Sequence, residues 1–251
     1  MYTQDDVKQV QNRLLKMAVT VKTVLERESI PYFLSSGSLL GAVRHKGFIP
    51  WDDDLDFYLF SDTYEKALSA LQNNLPDDMF LEYDVTEPKY FHDWAHVKCT
   101  KSLAYNALYP QDSCYTHKGL SIDLYKMTMM KRCDWPFFKH KKAIEYIDKR
   151  IKKGFIDEIE YAEKKSVFDN QLQNHVKSLV LNDNLIFGSS VSRHIFKYED
   201  ILPLTEIMFE GETFKAPHHP EDFLAEIYGN YMKLPPEEER KPHYSSVIFL
   251  N

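Results

Sequence analysis

Four of the five residues from Asp52 to Asp56 are aspartate, within the stretch SGSLLGAVRHKGFIPWDDDLDFYLF that runs from Ser36 to Phe60. Carboxylates this crowded repel one another, and a divalent cation is what makes such crowding useful. Side chains on a strand alternate between its two faces. A strand through DLDF therefore puts Asp54 and Asp56 on one face and turns Leu55 and Phe57 into the core. Two carboxylates spaced this way suit Mg²⁺ (or Mn²⁺), which takes few carboxylates, keeps waters and bridges to substrate phosphates. Asp52 and Asp53 follow Pro50 and Trp51 and are expected at the strand entrance, as supporting groups.

The residues before the acids fit the same chemistry. Gly37 and Ser38 open a short helix, where backbone N–H groups and a hydroxyl face a phosphate and a glycine permits close approach. Arg44, His45 and Lys46 lie near enough in sequence to hold an anion, and Trp51 can stack on a base or sugar. Each has an ordinary alternative. An Asp-rich loop is commonly a solvated turn, Arg44 and Lys46 are typical surface cations, and Trp51 can plug the core. The combination, not any single residue, marks a site.

These residues need elements to position them. Residues 5–28 carry Val7, Val10, Leu14, Met17, Val21, Val24 and Leu25 at helical spacing. IPYFLSS reads as a strand, GSLLGAVRH as a helix, DLDFYLF as a buried strand and TYEKALSALQNNL as a helix. FLEYDV, WAHVKCTKSLAY and LSIDLYKMTMM are further strands. Residues 136–182 are charged and helical in pattern, divided near Gly154. IMFEGETFKAP predicts a hairpin around Glu210-Gly211, and HPEDFLAEIYG a helix with Pro220 in its first turn and Gly229 as its stop. The order gives an α+β core, read as one domain over residues 1–251 with a mainly helical elaboration at about 136–190.

Composition narrows the function classes. The chain has 251 residues, 43% hydrophobic and 27% charged, which is enough to bury a core. A formal net charge of −7 opposes non-specific binding to nucleic acid or anionic lipid. Three scattered cysteines, Cys99, Cys114 and Cys133, form no CxxC pair and fit a reducing compartment. No signal peptide or membrane-spanning run is visible. A cytoplasmic protein is expected, compatible with peripheral association at a membrane. His218-His219 lacks the accompanying spacing of a metal site.

A strand, a Gly-Ser turn, a helix and then Asp-h-Asp on the next strand resemble the nucleotidyltransferase fold, a mixed sheet flanked by helices. That resemblance implies a third carboxylate from a later strand. Asp123 in GLSIDLYKM, a lone acid framed by apolar residues, is the first candidate, and Asp84 in LEYDV the second. The gap from Ser38 to Asp54 is longer than in template-dependent polymerases or antibiotic nucleotidyltransferases. SGSLLGAVRHKGFIPWDDDLDFYL, followed by WAHVKCTKS, GLSIDLYKM and DILPLTEIMFEGETFKAPHHPEDFLAEIYGNYMKLPPEEERKPHY, resembles the LicD/fukutin family of phosphotransferases over about residues 10–130 and 200–245.

The resemblance implies metal-dependent transfer of a phospho-alcohol, phosphocholine first among them, from a CDP-activated donor such as CDP-choline or CDP-ribitol. The acceptor would be a hydroxyl of a glycan or glycolipid of a lipopolysaccharide, teichoic acid or capsule, and CMP would leave. Carried over, Asp54, Asp56 and Asp123 are the metal ligands of a two-ion site, and Asp123 is alternatively a general base. Gly37, Ser38, Arg44 and Lys46 contact the donor. His45, Trp51, Lys98, Tyr228, Lys233 and His243 complete the candidate substrate contacts. Two other readings compete: a nucleotidyltransferase moving NMP from an NTP to a small molecule, and a non-catalytic binding protein on the same fold.

Overall fold

The computed structural model describes residues 2–106, 113–177 and 183–250. Helix α1 (Gln4–Arg27) starts with a capping box, in which Thr3 and Asp6 satisfy each other's backbone donors. Its apolar stripe buries Val10, Leu14, Met17, Val21 and Leu25 completely. It packs on α3 (Tyr64–Asn74) and on strand β6 (Ser121–Lys131).

The sheet is mixed. Its order is β1 (Tyr32–Leu34), β2 (Asp56–Phe60), β6, β4 (Ala95–Cys99) and β3 (Met79–Glu82). β2 and β6 run parallel and every other pairing on this path is antiparallel. All five residues of β2 are buried, as a strand covered on both faces requires. β6 is long enough to serve two further neighbours besides β2. Its first half pairs with β4, and Thr128–Lys131 pair with β7 (Leu185–Gly188), which carries β8 (Ile195–Lys197) on its outer edge. This architecture is the α+β class expected.

Helix α2 (Ser36–His45) connects β1 to the acidic stretch and packs against α7 (Pro220–Tyr228) and β9 (Thr205–Phe209). β9 pairs with β10 (Glu212–Ala216) through a turn in which Glu210 (φ 51) and Gly211 (φ 83) are both left-handed, the hairpin expected. Gly229 (φ 62) ends α7 as expected. Helices α4 (Trp135–Lys152) and α5 (Glu158–Lys177) stand on either side of Gly154 and pack on each other. A short helix, α6 (Tyr198–Ile201), follows β8. Among the described residues, no helix is long and apolar enough to cross a membrane.

Three strand expectations need correction. DLDFYLF enters the sheet at Asp56, not Asp54, because Leu55 N–H donates to the Asp54 carboxylate (2.9 Å) instead of to a ladder partner. FLEYDV stops at Glu82, where a turn held by Thr86 takes over. WAHVKCTKSLAY is two strands. β5 (Ser102–Asn106) leaves the main sheet and pairs with β11 (Tyr244–Phe249). β11, like β7 and β8, carries no expectation from the sequence.

Candidate active site

Register brings the acids together. Asp56 at the start of β2 lies directly opposite Asp123 on β6, and Asp123 lies opposite His96 on β4. Asp56 is 7% exposed, and its Oδ1 has no hydrogen-bond partner among the described residues. Burial, then the charges of Asp54 and Asp123, push its carboxyl well above the usual carboxylate range. Burial and the Asp123 charge push Asp54 up to about 7. These are carboxylates in want of a positive partner, and the donor set, all oxygen, fits a hard divalent cation. Asp54, Asp56 and Asp123 are the groups that would hold it.

Asp123 is fixed by its surroundings. Tyr125 OH (2.8 Å) and Trp94 Nε1 (3.2 Å) donate to its Oδ2, and His96 Nε2 lies 3.3 Å from its Oδ1. The other ring nitrogen of His96 meets Glu82 Oε2 at 3.0 Å. Glu82 is fully buried, with Lys98 Nζ 3.7 Å from the same oxygen. Lys98 is thus not a solvent-facing lysine; it pairs with Glu82 and lines a small cavity with Asp54 and Asp123. Asp84, the alternative third carboxylate, is exposed and meets Lys149 at 3.4 Å, away from the cluster.

The neighbouring acids divide in role. Asp53 is wholly buried and accepts from His243 N (2.7 Å), Tyr244 N (3.2 Å) and Tyr2 OH (3.0 Å). It therefore anchors the start of β11 and the N-terminus to the acidic stretch. His243 Nδ1 lies 3.4 Å from both Asp52 Oδ1 and Asp53 Oδ1, and these two carboxylates push the imidazole up to about 11. Asp52, Asp53 and His243 also bring three ligand-type atoms within 4.8 Å of one another. Asp53 is spent on backbone donors and Tyr2, so within this trio it ties the start of β11 to the acidic stretch.

Helix α2 supplies the complementary charge. No side chain caps its N-terminus and its first turn holds no acid, which leaves its first N–H groups for an anion. A Cβ at Gly37 would sit 2.8 Å from Asp52 Oδ2, so only glycine lets that carboxylate approach the helix. Ser38 Oγ accepts from Asp56 N–H (2.8 Å), which ties the helix to the metal-ligand strand. A cavity of about 720 Å³ adjoins these groups. Gly37, Ser38, Arg44, Trp51, Asp52, Asp54, Asp56, Tyr228, Lys233 and His243 line it, together with Lys241. Arg44 also donates to the carbonyl of Tyr231 (2.8 Å), and Arg240 covers the Trp51 ring at 5.3 Å. Burial, and next the Asp56 charge, push the Tyr228 hydroxyl upward.

Four expected residues fall outside this cavity's lining: Asp123 and Lys98, which line a smaller cavity with Asp54, and Lys46 and His45. Lys46 is exposed in a left-handed cap (φ 62) at the end of α2, where its carbonyl accepts from Glu210 N. His45 accepts from Arg44 Nε (2.9 Å) and meets the edge of Trp51. The reason is helical: residues after Arg44 rotate off the face that looks at the acids. Conversely, Trp94, His96, Glu82 and Tyr125 were not picked out from the sequence. Their signal was the alternation Trp94, His96, Lys98, which repeats polar-capable side chains on one face of β4.

Comparison with known proteins agrees with this geometry. Residues 29–152 match the family described as LicD/FKTN/FKRP, nucleotidyltransferase domain. The match runs past β6 to the end of α4, and it does not reach the 200–245 segment in which the sequence also resembles the family. The lipopolysaccharide cholinephosphotransferase LicD of Haemophilus influenzae is 28% identical over 246 residues, covering 90% of this chain and 91% of that protein. An uncharacterized protein of Rickettsia prowazekii is 32% identical over 116 residues, 41% of this chain and 42% of that protein. The human ribitol 5-phosphate transferase FKRP is 47% identical over 47 residues, 19% of this chain and 10% of that protein. With the acids, the helix N-terminus and the cavity beside them in place, the family match over residues 29–152 and the likeness to LicD over 90% of the chain support membership of the LicD/fukutin family.

Proposed function

We propose that the protein transfers a phospho-alcohol, phosphocholine first, from a CDP-linked donor to a hydroxyl of a cell-surface glycan or glycolipid precursor. The observation that carries this reading is the facing of Asp56 and Asp123 across parallel strands, with Asp54 and Asp56 sharing a cavity with an uncapped helix N-terminus. Membership of a family whose relatives are named for cholinephosphate and ribitol phosphate transfer supports the choice of group. The related proteins also support a glycan acceptor.

The donor diphosphate fits the 720 Å³ cavity, where the first N–H groups of α2, Arg44, Lys233 and Lys241 oppose its charge. Mg²⁺ or Mn²⁺ held by Asp54, Asp56 and Asp123 would supply charge neutralisation at the transferred phosphorus and the leaving group. The acceptor oxygen forms a bond to the phosphorus that bears the alcohol. The bond from that phosphorus to the bridging oxygen breaks, and its electron pair leaves with CMP. Where Asp123 acts as general base instead of metal ligand, the hydroxyl proton passes to its carboxylate, which Trp94, His96 and Tyr125 hold in place.

The test is product identity. The protein is incubated with Mg²⁺ and CDP-choline, CDP-ribitol, CDP-glycerol or CDP-ethanolamine, and separately with NTPs. CMP release from a CDP-alcohol is the expected outcome. Pyrophosphate release from an NTP without any CMP would instead favour nucleotidyl transfer.

A further inference from the structure

A second large cavity, of about 770 Å³, lies between the sheet and the α4–α5 pair. Trp94 and Tyr125, the two residues that donate to Asp123, form part of its wall, and both also line a smaller cavity that contains Asp54 and Asp123. Ser36, the first residue of α2, lines both large cavities, so the two adjoin where the acids sit. One reacting partner thus has a route to the cluster that does not pass through the donor cavity.

The chemistry of this cavity differs from that of the donor side. Its lysines and His140 are already engaged, while Arg193, exposed in the same lining, meets His194 Nε2 at 3.4 Å. Lys139 donates to the carbonyls of Ser190 and Ser192, Lys142 meets Asp93 (3.5 Å) and Glu145 (2.9 Å), and His140 meets Asp169 (2.7 Å). An anionic ligand would find its positive charge at the exposed Arg193 and not at the paired lysines beside Asp93. What the cavity offers is aromatic surface, with the Trp94 and Tyr125 rings 5.3 Å apart, and one carboxylate oxygen that lacks a partner. That oxygen is Asp93 Oδ2, which is buried and accepts no hydrogen bond among the described residues. Aromatic faces beside a carboxylate that needs donors match the two surfaces of a sugar, apolar C–H face and hydroxyl edge.

We propose that this cavity seats the acceptor, and that the sugar unit presenting the attacking hydroxyl is uncharged where it meets Trp94, Tyr125 and Asp93. The assignment rests on the transferase reading above. It makes the α4–α5 pair the acceptor wall. α5 buries none of its residues, so this wall can vary without disturbing the core.

The test uses the full chain and two probes, lactose as a neutral sugar and glucose 6-phosphate as an anionic one. Binding is read by saturation-transfer NMR, and CMP release from CDP-choline with Mg²⁺ is read in parallel without sugar. Ala143→Trp fills the cavity from α4. Gln171→Trp does so from an exposed position of α5 and serves if the first variant folds poorly. Lactose is expected to bind the wild type and to weaken at least about tenfold in the filled variant. Sugar-independent CMP release should stay within about twofold. Lactose binding that is absent from the wild type, or unaffected by filling, overturns the proposal, as does tighter binding of glucose 6-phosphate than of lactose. Lactose binding sensitive to filling, with no CMP release from any CDP-alcohol, would keep the sugar site and remove the reaction. CMP release without such binding would do the reverse.

Discussion

Asp54→Asn isolates the electrostatic cost of the acid cluster. The carboxyl of Asp54 is raised from 3.8 to about 7, by burial first and Asp123 second. A carboxylate with a raised folded pKa makes the folded state bind its proton more tightly than the unfolded chain does. Stability from this group is therefore full below pH 3.8 and is lost as pH rises through about 7. Linkage places the loss at about 1.7 kcal/mol near pH 5 and about 4 kcal/mol near pH 8. Asparagine carries no charge and keeps an oxygen for Leu55 N–H. In metal-free buffer, Asp54→Asn should raise the unfolding free energy near pH 8 by about 2 to 3 kcal/mol more than near pH 5. Because Asp56 and Asp123 share the repulsion, this is a ceiling. Urea unfolding with chelator at the two pH values measures it. A gain equal at both pH values, or a loss at the higher one, would refute the argument. The same variant should lose several orders of magnitude in CMP release, because a ligand of the proposed metal is gone.

His243→Gln should instead destabilise, because the fold favours the charge on this group. The imidazole is raised to about 11, so its contribution is full below 6.5 and fades as pH climbs through about 11; urea midpoints across that range should converge with wild type at the alkaline end. Arg44→Ala should raise the donor KM about 10- to 100-fold, since a charge-assisted contact in the donor cavity is removed. Lys46→Ala, in its exposed cap, should leave steady-state kinetics within about twofold. Asp123→Asn should abolish transfer while Asp84→Asn leaves it intact; equal loss in both would move the third carboxylate back to the sequence's second candidate.

The sequence by itself carried the local half of this protein. The periodicity of α1, the buried run of β2, the Glu210-Gly211 turn and the Gly229 stop are written in nearest-neighbour rules, so they were legible. The acidic pair was legible too, although by a partly mistaken route, since Asp54 reaches the cluster from just outside the strand rather than by alternation within it. What only the tertiary structure decided is which residue faces which. Parallel register between β2 and β6 chose Asp123 over Asp84. Antiparallel register between β4 and β6 brought in His96, Trp94 and, behind them, Glu82. A return of the chain from residue 243 separated Asp53, a buried anchor, from its neighbours in the same run of four acids. No pattern within the WDDDLD segment distinguishes these fates, because each depends on donors contributed from far along the chain. The cavity between Trp94 and the α4–α5 pair is invisible for the same reason: its walls come from eight separated segments, and a void between segments has no spacing to read.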